Sequence, residues 1–161
     1  MKKLIFSIVF ATLPLTGIMA QEAYNEIRAK ASAVLSDPLS NGMVKDINRF
    51  KVDALDYLLI KMREQMPDSS TVFLDNQALA MNNFISLYIK KILQFKDMPK
   101  ARQIDIIRLF MDASYSNPLF NDTDQELTLG YYVKSESLTR FSLDTDWQKA
   151  VTAIVASMKE E

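Results

Sequence analysis

The sequence predicts an all-α protein, an irregular bundle of about six helices in one domain behind a cleaved signal peptide. Apolar residues recur at helical spacing in every long segment. They nowhere alternate in the period-two pattern of a half-buried strand. Beyond residue 20 the only glycines are Gly42 and Gly130, so tight turns are few.

The first twenty residues, MKKLIFSIVFATLPLTGIMA, place Lys2 and Lys3 ahead of an apolar run, a break from Pro14 to Gly17 and a small residue at Ala20. That is the layout of a secretory signal peptide rather than of a retained membrane span, since the run is short and interrupted. The expected division is residues 1–20 as signal and 21–161 as a single soluble domain, periplasmic or extracellular. No cysteine follows the apolar run, so no membrane anchor is expected after cleavage. The domain is long enough to bury about two thirds of its unfolded surface without disulfides.

The first helix is expected from Ala23 to Leu35, ended by Pro38, which cannot continue it and disfavours helix at Asp37. Ser40–Gly42 reads as a turn. The second helix, Met43 to Met66, gathers Lys45, Asp46, Arg49, Asp53, Asp56, Arg63 and Glu64 on one arc, with Val44, Ile47, Leu55, Leu58 and Met62 opposite. Lys51 falls inside the apolar arc. It either snorkels to an edge or marks where an acidic partner group docks.

Asp68 is placed to cap a third helix running to Phe95. That helix is apolar on most sides, the pattern of a central element, except for a stripe of Asp75, Asn76, Asn82, Asn83, Ser86, Lys90 and Gln94. A fourth helix, Pro99 to Ala113, places Ile104, Ile107 and Met111 on one side and Arg108 with Asp112 as an exposed pair. Residues 114–122 form the longest expected loop.

Two Asp-Thr-Asp triplets follow. Thr123 with Glu126 and Thr145 with Gln148 both fit the capping-box pattern, so each triplet is expected to start a helix, DQELTLGYYVKS and DWQKAVTAIVASMKEE. In the last of these, Trp147, Ala150, Val151, Ile154, Val155 and Met158 share an apolar face. The alternative is a cation site assembled from Asp122, Asp124, Asp144 and Asp146. A calcium loop starting at Asp122 fails, because Leu127 stands where that loop needs glycine and Val133 where it needs glutamate.

The chain has no histidine and no cysteine, which removes the commonest general base, the usual zinc ligands and the thiol nucleophile. No catalytic residue and no cofactor is assigned. Met62 and Met66, one turn apart, are read as core filling rather than as copper ligands. Its 19 basic and 20 acidic residues become 17 against 20 once Lys2 and Lys3 leave with the signal. With the basic residues scattered, nucleic acid is not an expected partner.

The function expected is that of an exported, non-enzymatic helical binding protein engaging a protein partner of unknown identity. Candidate binding residues are Asp75, Asn82, Asn83 and Ser86 on the third helix, with Tyr131 and Tyr132. Two alternatives use other features. One is a glycan-binding or glycan-cleaving surface built from Tyr131, Tyr132, Trp147 and the acids between residues 115 and 147. The other is a small apolar ligand held between the third helix and its neighbours.

Overall fold

The computed structural model describes residues 22–120, 122 and 141–159. Among these the chain is helical, with no strand. Its helices are α1 (Glu22–Ser36), α2 (Gly42–Gln65), α3 (Thr71–Ile92), α4 (Lys100–Tyr115) and α5 (Trp147–Ser157), with a 3₁₀ turn at Phe95–Asp97. The described residues thus hold five α-helices where the sequence predicts about six. The expected signal peptide, and the expected helix DQELTLGYYVKS with its Thr123–Glu126 box, lie outside the described residues. No described helix is long and apolar enough to cross a membrane.

The element starts follow from local chemistry. Asn41 caps α2, its side chain accepting from the Val44 amide at 3.0 Å. The turn before it is held by Asp37, which accepts from the Leu39 amide and the Ser40 hydroxyl. At α3 the N-cap is Ser70 and not Asp68, and its side chain makes no capping hydrogen bond among the described residues. Pro99 stands at the N-cap position of α4. The connection into α4 is clasped by Gln103, whose amide donates to the carbonyls of Phe95 and Met98 at 2.8 and 2.9 Å.

As its composition predicts, α3 is the central helix, packed against α1, α2, α4 and α5. Leu74, Ala78, Met81, Phe84, Ile85 and Tyr88 form its buried side. Phe84 lies at the middle of an aromatic cluster, its ring centroid 5.2 Å from Phe110, 5.1 Å from Phe141 and 5.4 Å from Trp147. All three contacts are edge-on, the arrangement that ring quadrupoles favour. Phe50 of α2 and Tyr88 of α3 extend the cluster through Phe141.

The buried side of α4 is shifted from the side that Ile104, Ile107 and Met111 share. Ile106, Phe110, Ala113 and Ser114 face the core, while Ile104 is half exposed. The choice falls on the stripe carrying Phe110, because that ring fills the space beside Phe84 and Tyr88. The helix also continues to Tyr115, so Ser114 belongs to α4 and not to the following loop.

Between α1 and α2, Arg28 grips Asp56 with Nε and Nη2 at 2.6 and 2.8 Å, and the Tyr24 hydroxyl donates to the same carboxylate. A half-exposed pair adds no more than about 1 kcal/mol. Its two-pronged geometry fixes how α1 lies along α2.

Candidate functional site

From Phe141 to Trp147 every residue is buried, although Ser142, Asp144, Thr145 and Asp146 are polar. Buried polar groups must find partners, and here they find them both within the run and far away in sequence. The Thr145 hydroxyl donates to the Ser142 carbonyl at 2.6 Å. This leaves the Ser114 hydroxyl to donate to Thr145 at 2.7 Å while accepting the Ser142 amide at 2.8 Å. Backbone pairing runs alongside. Pro118 and Thr145 form an isolated antiparallel bridge, the Asp146 amide donates to the Asn117 carbonyl at 2.7 Å, and the Leu119 amide donates to the Asp144 carbonyl at 3.1 Å.

Each carboxylate in this knot is occupied by protein donors. Asp144 accepts the Phe120 amide at 2.7 Å. Burial pushes its carboxyl above the ordinary aspartate value, with the Asp122 charge adding to the rise against the pull of nearby amides. Asp146 behaves oppositely. Burial raises it, but hydrogen bonds from Gln77 and Lys149 outweigh that effect and leave its carboxyl below the ordinary value. Asp122 accepts the Tyr57 hydroxyl at 2.8 Å and pairs with Lys61 at 3.0 Å.

The N-cap of α5 is therefore Asp146, whose side chain accepts the Lys149 amide. The expected Thr145–Gln148 capping box does not form. Thr145 is turned to Ser142 and Ser114, and Gln148 is exposed. Of the four acids weighed as cation ligands, Asp124 lies outside the described residues. Among the described residues no three acidic side chains are grouped to hold a metal ion.

Sequence reasoning missed Gln77. It is fully buried on α3, donates to Asp146 at 3.0 Å and accepts the Trp147 amide at 2.8 Å, so one amide holds both ends of the α5 cap. Trp147 has no exposed surface, which removes it from the aromatic surface that the glycan reading requires. Tyr131 and Tyr132 lie outside the described residues. Met62 is buried and Met66 packs against the same core.

The α3 stripe divides into two parts. Asp75 accepts the Tyr24 amide at 2.9 Å at the start of α1, and Asn82 accepts the Lys51 ammonium at 2.7 Å from α2. The ammonium of Lys51 thus ends at Asn82, next to the exposed face of α3. Lys51 is half buried, no carboxylate among the described residues pairs with it, and burial lowers its amine below the ordinary lysine value. The Ser86 hydroxyl donates back to the Asn82 carbonyl of its own helix at 2.7 Å.

The other part is open. Val72, Asn76, Leu79, Asn83, Ser86 and Lys90 are all exposed and repeat at helical spacing, making one continuous ridge along the central helix. Val72 is 61% exposed and Leu79 52%. Near the foot of α3, a cleft of about 80 Å³ lies between Met62, Arg63 and Met66 of the α2 end and Ser70, Thr71 and Leu74. That is room for a few water molecules, well below the 300–1,000 Å³ or so of a small-molecule pocket.

Compared with known protein families, curated proteins and solved structures, the chain matches none.

Proposed function

We propose that the protein is an exported, non-catalytic helical interaction module that binds a protein partner through the open ridge of α3. The observation that carries this reading is the exposure of Val72 and Leu79 on the helix that every other described helix packs against. Asn76 stands between these two apolar side chains and Asn83 and Ser86 follow them, so hydrogen-bonding groups and apolar ones share the ridge. Asn83 and Ser86, expected from sequence as binding residues, lie on this ridge; Asp75 and Asn82 lie along its α1 and α2 side. Export rests on the layout of residues 1–20.

A photo-crosslinking residue placed at Leu79 in the full chain, expressed in its own cells, tests the reading. One discrete adduct is expected from Leu79 and none from Ile60, which is equally exposed on the outer side of α2. The Leu79 adduct should vanish when Val72 is replaced by Asp. Equal adducts from both positions would mean that the ridge is only an ordinary apolar surface.

A further inference from the structure

A buried charge is normally paired, because removing an ammonium from water without a counter-ion is unfavourable. Lys51 is half buried, yet no carboxylate among the described residues pairs with it. Its position on α2 is in line with Ile47, Leu55 and Leu58, all buried, and its ammonium meets a neutral amide, Asn82 Oδ1. Aspartate has nearly the shape of asparagine, so an Asp at position 82 would complete an ion pair at the same 2.7 Å contact. The chain instead holds the cation with a neutral group, and no carboxylate among the described residues balances its charge. Such a local inconsistency, with a simple remedy left unused, is the mark of a binding position rather than of a structural one.

The surroundings say what would bind there. Asn82 lies one turn from both Leu79 and Ser86 on α3, so the amine is beside the open ridge. One ammonium balances one negative charge. The Asn82 side chain, turned about its last torsion, can present its N–H₂ in place of its oxygen, and so serves the unbound amine and a bound anion in turn. We infer that Lys51 and Asn82 form a receptor for a single carboxylate, an Asp or Glu side chain flanked by apolar residues on the partner that covers the α3 ridge. This inference rests on the ridge being the docking face.

The test uses two capped peptides, Leu-Glu-Leu and Leu-Gln-Leu, titrated into the full chain while the Asn82 side-chain amide and the Lys51 amine are followed by NMR. The glutamate peptide should give saturable shifts at both groups and bind about tenfold more tightly than its glutamine twin, the ratio for one charge-assisted hydrogen bond. Lys51→Met and Asn82→Asp should abolish that preference. Both should also melt at or above the wild-type temperature, since one removes the unpaired charge and the other neutralises it. A merely structural Lys51–Asn82 bond would instead give less stable variants and no peptide preference, overturning the inference. Equal binding of both peptides, or shifts that persist in Lys51→Met, would also overturn it. Inorganic phosphate serves as a further arm, and competition stronger than that of acetate would replace the carboxylate by a phosphate group. The docking reading is judged separately by the Leu79 adduct. An adduct unchanged by Lys51→Met would leave the ridge in place and remove only the carboxylate receptor.

Discussion

Gln77 of α3 donates to the Asp146 carboxylate at 3.0 Å, while its carbonyl oxygen accepts the amide of Trp147, 70 positions later in the chain. Through these two bonds the central helix completes the first turn of α5 with its own side chain. Two buried polar groups are satisfied by one residue that contributes no charge.

Gln77→Leu removes both hydrogen bonds while roughly keeping the side-chain volume. The Trp147 amide then loses its acceptor inside the core, so a loss of about 3 kcal/mol is expected. Urea unfolding should show a lower midpoint with an unchanged slope.

Asp144 and Asp146, two residues apart, should respond to pH with opposite signs. The folded carboxyl of Asp146 lies below its ordinary value, so its stabilisation is present above the ordinary aspartate range and is lost as pH falls through the lowered value. The folded carboxyl of Asp144 lies above its ordinary value, so its contribution is present below the ordinary range and is lost as pH rises through the raised one. Melting temperatures from about pH 3 to about pH 7 check this. Asp146→Asn, which keeps a capping oxygen, should flatten the acid limb, whereas Asp144→Asn should compare better with wild type at neutral pH than at acid pH.

The helix starts offer a paired control. Asn41→Ala removes a side-chain cap and should lower stability by about 1 kcal/mol. Ser70→Ala removes no capping bond and should change it by much less. Equal losses in chemical denaturation would contradict the assigned caps.

Phe84→Ala opens a hole among Phe110, Phe141 and Trp147 and should lower stability by about 3–5 kcal/mol. Because Trp147 is one of those rings, its fluorescence should shift to the red in the native state as well as on unfolding.

Much of the architecture was legible in the sequence because it depends on periodicity. The all-round apolar surface of α3 foretold its central place, and the dry arc of α2 foretold the burial of Ile47, Leu55, Leu58 and Met62, although Val44 on the same arc is exposed. What was illegible depends on residues distant in sequence. Thr145 and Asp146 both satisfy local capping rules, and the choice between them is made by Ser114, 31 positions earlier. In α4, Ile104 and Ile106 are equally apolar, and only the ring of Phe110 beside Phe84 selects the buried stripe. Gln77 carried no local signal, since a lone glutamine on an apolar helix looks the same whether it faces solvent or core. A short polar run between Phe141 and Trp147 was the one available hint. Lys51 was visible as an inconsistency, but its neutral partner was not.

The bonds joining residues 117–120 to residues 144–146 give the chain a common point of departure and return beside α4. The Phe120 amide meets the Asp144 carboxylate across 24 positions. These bonds tie the exit of α4 to the entry of α5, so the two helices should open as one unit and lose protection from hydrogen exchange together.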